Sequence, residues 1–309
     1  MIVNKTSLDA VYGNLKTTFN GALQSAVAEA TWNQIAMRVP SSGATNVYSW
    51  LESFPKMRKW VGEKQVDNLK KNEYTVVNDD FEVTVGVKRN DMEDDNVGHY
   101  SNIAAQAGQS GAELPDQLVY ELVNIGFGKG KGWDQVSFFS DAHPYSDGKK
   151  TITVSNKSTK ALSFATLAKA RESYGAARTA MRKLKDSNGT PLNLRPNVLL
   201  VPPTLEDTAR LLTTAEDLED GTKNPYKGTA TVVVSGYLES DTAWFLIDMS
   251  QKVKPLIYQE RKAPVFVKHD AATSHYVFMN GEYLFGAEAR GAAAYGFWQL
   301  IHGSTGADA

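Results

Sequence analysis

Asp141 and His143 are the pair best placed by type and spacing to do chemistry, because a carboxylate beside an imidazole can work as an acid–base couple. They would also be two ligands of a metal site, but such a site needs three or four. A loop tied by local hydrogen bonds explains the pair without any reaction. The run Gly126-Phe127-Gly128-Lys129-Gly130-Lys131-Gly132 invites comparison with a phosphate cradle. It follows a helical pattern instead of a strand and lacks the Lys-Ser/Thr ending, so the phosphate-loop and dinucleotide fingerprints both fail. Helix termination and a flexible turn account for it. A third candidate spans Tyr48 to Asn72. Trp50, Leu51, Phe54, Met57, Trp60 and Val61 interleave there with Lys56, Arg58, Lys59, Lys64, Lys70 and Lys71. Aromatic and basic residues together can form a nucleic-acid surface. Glu52, Glu63, Asp67 and Glu73 dilute that charge, and an apolar face on a thin excursion needs a partner to cover it. A contact between subunits fits those residues better.

The elements that would carry these groups centre on Tyr74 to Gly132. Thr75, Val77, Phe81, Val83, Val85 and Val87 are a β-branched and aromatic run broken by Asn78-Asp79-Asp80, which predicts a strand pair. Asp91, Glu93, Asp94 and Asp95 follow, where a helix N-terminus favours negative charge. From Gly98 to Gly126 the residues Ile103, Ala107, Leu114, Leu118, Val119, Leu122, Val123 and Ile125 recur at helical spacing. Such a helix would be roughly 40 Å long, with Gly108, Gly111 and Pro115 expected to bend it.

The first forty residues read as helical, with Leu8, Val11, Tyr12, Leu15, Phe19 and Leu23 on one stripe and Pro40 to Gly43 as a linker. Ala161 to Ser250 reads as a compact α+β unit: a helix from a cap near Ser163 to Lys185, the strand Val198–Val201, a third helix, and strands at Thr229–Val234 and Trp244–Asp248. Later strands are expected at Leu256–Gln259, Val265–Lys268, Tyr276–Met279 and Tyr283–Phe285, then a small-residue stretch from Ala287 to Tyr295. Gly303 to Ala309 is expected to fray.

Composition excludes several classes. The 309 residues suffice for one large or two ordinary domains, and 42% hydrophobic with 22% charged residues is the ordinary globular range. A net charge of -2 gives no global field toward nucleic acid or an anionic membrane. Without cysteine there are no disulfides, thiolate metal sites or cysteine nucleophiles. No apolar run approaches membrane-spanning length and the first residues lack a signal-peptide core, so a soluble protein made in a cytoplasm is expected.

Several segments in fixed order resemble the major head proteins of Mu-like phages and prophages, the gpT family. They are Phe81 to Val85 with Arg89 to Asp95, Trp244 to Asp248, Lys254 to Lys262, Glu282 to Gly291 and Gly296 to Leu300. The resemblance covers most of the chain. It implies an α+β subunit of the Hong Kong-97 capsid type: an N-terminal arm (1–43), an extended loop (44–80), a peripheral domain (81–160 and 255–290) with a spine helix at 98–126, and an axial domain (161–254 and 291–309). It further implies self-assembly as hexamers and pentamers into an icosahedral shell around double-stranded DNA, in a virion built in the bacterial host cytoplasm. No enzyme activity, cofactor or metal belongs to that reading, and the DNA would be held without sequence recognition. The first helix starts within ten residues of Met1, so scaffold, maturation protease and portal are expected as separate chains. A cellular, encapsulin-like nanocompartment shell around protein cargo is the alternative within the same fold. Trp50, Phe54, Arg58, Lys59, Trp60 and Lys64 on the loop and Asp91, Glu93, Asp94 and Asp95 at the elbow are opposite in sign, and are expected to meet across subunits.

Overall fold

The computed structural model describes residues 5–52, 74–94, 98–146, 151–186, 189–271 and 273–308. Two sheets organise them. In the four-stranded sheet, β1 (Ala36–Pro40) runs parallel to β11 (Leu256–His269), which pairs antiparallel with β12 (Glu282–Tyr295), and β12 with β4 (Asp79–Lys88). Ala36 to Pro40 is therefore strand where the sequence pattern suggested helix. The strands expected at 256–259 and 265–268 are one strand, carried past Arg261 and Pro264 by register shifts. Likewise β12 runs unbroken through 290 and 291, so the expected boundary there cuts a single strand. Gly286 allows β4 to approach, since a Cβ would lie 2.5 Å from the Val83 carbonyl oxygen.

Two helices cover this sheet. α1 (Lys5–Glu29) buries Leu8, Val11, Leu15 and Phe19, and α3 (Gly98–Ile125) buries Tyr100, Ala104 and Ala107 in the same cluster as Phe266, Phe285 and Val87. α3 has 28 residues with Pro115 inside it, matching the helix expected over 98–126. The helices touch at Gly108, where even a methyl group would lie 2.4 Å from the Phe19 carbonyl oxygen.

The five-stranded sheet has the order β7-β13-β10-β8-β9. These strands are β7 (Lys157–Lys160), β13 (Ile301–Asp308), β10 (Trp244–Ile247), β8 (Val198–Val201) and β9 (Thr231–Val234). β8 and β10 are buried throughout, as their uninterrupted apolar runs require. Against the sheet lie α4 (Leu167–Ala170), a π turn at Arg171–Gly175, α5 (Ala176–Arg182) and α6 (Glu206–Thr214). α4 is capped by the Thr166 hydroxyl, which accepts from the Lys169 amide, and not near Ser163.

Two more expectations give way. Residues 303–308 do not fray: they complete β13, between β7 and β10. Their small side chains are what let them in. A Cβ on Gly303 would meet the Phe139 ring at 2.7 Å, and the Ser304 hydroxyl donates to the Lys160 carbonyl at 2.6 Å. Tyr276 to Met279 belong to α7 (His275–Asn280), which ends at Gly281 with φ +66°. The alternation that suggested a strand is too short to separate the two states, and Val277 alone on this helix is buried.

Candidate assembly surfaces

Of the candidate acid–base pair only the histidine turns inward. His143 opens β5 (His143–Ser146), which pairs with β6 (Thr151–Val154). Its partner is Asp134, at 2.6 Å from Nδ1; Asp141 is exposed. The side chains of His143 and Asp134 are 0% and 2% exposed, which leaves no path for a substrate. The glycine run is equally occupied. The amides of Gly126, Gly128, Gly130 and Gly132 all donate to backbone carbonyls, those of Val123, Ile125 (twice) and Val136, so none is free to hold a phosphate. Bulk explains two of the glycines: a Cβ would sit 1.8 Å from the Tyr295 hydroxyl at Gly130 and 2.8 Å from the Phe139 ring at Gly126. Among the described residues no group of three or more His, Asp or Glu is set to hold a metal ion.

The segment expected to make subunit contacts leaves the described residues after Glu52 and re-enters them at Tyr74. Its two ends meet where β2 (Thr45–Val47) pairs antiparallel with β3 (Thr75–Val77). A buried polar network bolts this root to the larger sheet. The Tyr48 hydroxyl donates to Gln259 Oε1 at 2.8 Å, Gln259 Nε2 donates to Asn78 Oδ1 at 2.7 Å, and Asn78 Nδ2 donates to Ser41 Oγ and the Gly43 carbonyl. Tyr74 joins in, its hydroxyl accepting from the Tyr295 amide. Burial pushes the Tyr48 and Tyr74 hydroxyls up from their ordinary pKa. The spacing of Tyr48 and Asn78 from Gln259 hid this network from the sequence reading.

Of the residues expected to make subunit contacts, Trp50 lies in the 3₁₀ turn Ser49–Glu52. Phe54, Arg58, Lys59, Trp60, Lys64 and Asp95 lie outside the described residues. The elbow is α2 (Arg89–Glu93) and the residue after it. There Asp91 accepts from the Tyr100 hydroxyl at 2.6 Å and Met92 is buried, whereas Glu93 and Asp94 are exposed. The described residues therefore bring no predicted loop residue to the elbow within one chain.

Other surfaces were not anticipated. Phe278 and Met279 on α7 are 80% and 65% exposed, the most exposed large apolar side chains among the described residues. An open groove of about 540 Å³ runs between α1, α3 and the turn after β9, with Glu29, Glu113 and Asp116 but no basic residue in its wall. At its side Asp116 accepts from the Thr31 amide at 3.1 Å and the Trp32 amide at 2.7 Å, pinning the end of α1 to α3. Burial holds the Asp116 carboxyl above the usual carboxylate range despite those bonds. The one sequence signal was an aspartate directly after Pro115 on an otherwise apolar helix face.

A long helix on a four-stranded sheet joined to a five-stranded sheet, with the β2–β3 pair bolted to the helix-covered four-stranded sheet, is the fold of a phage capsid subunit of the Hong Kong-97 type. The procapsid subunit of bacteriophage JBD30 superposes with a TM-score of 0.58 at 28% identity, over 98% of this chain and 76% of that one. The chain belongs to the family of Mu-like prophage major head subunit gpT, whose profile matches residues 8–167, 162–238 and 239–307. It is 32% identical to the major capsid protein of Escherichia phage Mu over 304 residues, 97% of this chain and 74% of that protein. It is 28% identical to the Mu-like prophage FluMu major head subunit of Haemophilus influenzae, over 91% and 68%. It is a structural protein of a phage head and not an enzyme; the nanocompartment alternative is not favoured.

Proposed function

We propose that copies of this chain form rings of five and six that close into an icosahedral shell around double-stranded DNA. The observation that carries this is the match to phage head subunits from residue 8 to residue 307. Residues 1–43, with α1, serve as the N-terminal arm, the four-stranded sheet with α3 as the peripheral part, the five-stranded sheet as the axial part, and the segment rooted on β2 and β3 as the extended loop. In rings of this kind each copy presents one surface to the next and a different surface to the previous one, a heterologous contact that closes by rotation. Permanent interfaces of that sort bury on the order of 2,000–5,000 Å².

Trp50, Phe54, Arg58, Lys59, Trp60 and Lys64 make the loop side of the contact, and the exposed Glu93 and Asp94, with Asp91 and Asp95, the acidic side. Each exposed pair contributes about 0–1 kcal/mol, so repetition and not any single bridge holds the shell. Scaffold, protease and portal act as separate chains, and assembly takes place in the host cytoplasm before DNA enters. Reversing Asp94 and Asp95 to lysine tests the contact: folded subunits with far fewer closed particles by electron microscopy are expected. Wild-type particle yield from the reversed chain would reject it.

A further inference from the structure

We propose that the free edge of β4 pairs antiparallel with the β4 edge of a second copy, so that a sheet runs on from one ring into the next. The proposal rests on the shell-building reading above. The two sheets end in β1 and β4 and in β7 and β9. β1 has five residues and closes on Pro40, and β7 and β9 have four each. β4 has ten residues and no proline. A long edge of that kind is a template for another strand unless something blunts or covers it.

Hydrogen-bond alternation fixes which backbone groups lie on that edge. The Arg89 amide donates to the Gly281 carbonyl at 2.8 Å, and the register of β4 on β12 continues from that pair. Phe81, Val83, Val85 and Val87 therefore bond to β12, and the even-numbered residues turn their amides the other way. Both ends of the strand bear this out. Asn78 donates to the Ala44 carbonyl at 2.9 Å, and the Lys88 amide reaches the Tyr100 hydroxyl at 3.5 Å. Between them the amides and carbonyls of Asp80, Glu82, Thr84 and Gly86 face outward, and no described residue bonds them there.

The side chains name a second copy as the occupant, because the strand is complementary to itself. Set antiparallel with Thr84 opposite Thr84, it places Asp79 against Arg89, Asp80 against Lys88 and Glu82 against Gly86. On the other face Phe81 meets Val87 and Val83 meets Val85. Each acidic residue thus meets a basic or uncharged one, each apolar residue meets an apolar one, and the twofold repeats every pair. No like charges stand opposite each other, which would oppose pairing. Asp80 also meets Arg290 of its own chain, but Asp79 and Arg89 have no ion-pair partner among the described residues. Phe81, Val83 and Val85 are half-buried in one copy and would be covered in the pair. Sliding by two residues spoils the match: with Val83 at the centre Asp79 meets Val87, and with Val85 at the centre Phe81 meets Arg89.

Rings need such a contact besides those within them. Every copy in a ring of five or six also faces a copy of the adjoining ring across a twofold or near-twofold axis, where an isologous contact fits. Paired strands tolerate a mutual twist of roughly 10–35°. One ladder can therefore join rings that meet at different angles.

The chain has no cysteine, so Thr84→Cys gives each copy a single thiol. Opposed residues of a hydrogen-bonded antiparallel pair have Cα atoms about 5.5 Å apart, within reach of a disulfide. Two Glu82 residues would lie roughly 13 Å apart along the strands, so Glu82→Cys is the register control. Both full-length variants are oxidised with diamide and run on non-reducing gels, and electron microscopy follows particles of wild type and variants. At least tenfold more disulfide dimer is expected from Thr84→Cys than from Glu82→Cys. Particles without the Thr84 dimer, or equal dimer from both variants, overturn the proposal. Absence of particles from the wild-type chain overturns the reading beneath it, and the gel on concentrated subunits still decides the pairing. Hydrogen exchange on wild type needs no variant. The amides of Glu82, Thr84 and Gly86 are expected to exchange at least a hundredfold more slowly in particles than in unassembled subunits. Unchanged exchange overturns the pairing. Slowed exchange without the Thr84 dimer assigns the edge to a different strand and overturns it too.

Discussion

Adding one methyl group at Gly108 probes whether the α1–α3 crossing is as tight as the structure has it. A Cβ there would lie 2.4 Å from the Phe19 carbonyl oxygen, 3.1 Å from Ala22 Cβ and 3.1 Å from the Leu23 amide nitrogen. Ordinary contact starts near 3.4 Å, so the helices must separate by about 1 Å, and the obstacle is backbone that no rotamer change can clear. Overpacking of this kind costs about 1–3 kcal/mol, against about 1 kcal/mol gained from replacing glycine in a helix. Gly108→Ala is therefore expected to destabilise the subunit by up to about 2 kcal/mol. Gly13 and Gly21 on α1 are the internal control, since nothing lies within 4 Å of a Cβ at either. Alanine there keeps the propensity gain, a stabilisation of about 0.5–1 kcal/mol each. Urea unfolding of unassembled subunits, followed by tryptophan fluorescence, reads all three. The same substitution should change sign with position. A Gly108→Ala midpoint at or above wild type, or a loss at Gly13 and Gly21, would refute the packing argument.

Two further outcomes follow from buried groups. His302 is held neutral by burial, which lowers its pKa from 6.5 to about 4. The unfolded chain takes up a proton below pH 6.5 while the folded chain does not, so stability present above that pH is lost as pH falls toward 4. At about 1.4 kcal/mol per unit over 2.5 units, the loss reaches about 3 kcal/mol. His302→Gln should flatten that slope in urea midpoints measured from pH 7 to pH 4, and equal slopes would count against the assignment. Gly130→Ala should cost about 2–3 kcal/mol, because its Cβ would sit 1.8 Å from the Tyr295 hydroxyl, which itself donates to the Leu122 carbonyl. Adding Tyr295→Phe removes the atom in the way, so the double variant should lose less than the sum of the singles. Simple additivity in the same unfolding assay would contradict the contact.

The long helix and the apolar strands β8 and β10 were legible because periodicity and composition there agree with burial. The readings that failed share a cause, which is partners distant in sequence. β13 looked like a tail because glycine and serine carry no strand signal, and only Phe139 and Lys160, more than a hundred residues earlier, explain why small residues belong there. His143 was matched with Asp141, two residues away. The chain turns at Gln135, with φ 63°, and brings Asp134 to the ring instead. Tyr48 was named in the sequence, while its hydrogen-bond partner Gln259 lies 211 residues on. As for the contact residues, opposite charge on loop and elbow is visible in sequence, but their meeting is a property of two chains.

The place of β13 also governs timing. Residues 301–308 slot between β7 and β10, in a sheet whose other four strands all precede them in the chain. Until they emerge, β7 and β10 each keep a raw edge, and the half of the subunit they belong to stays unfinished. A chain stopped before residue 301 therefore lacks the strand that joins β7 to β10.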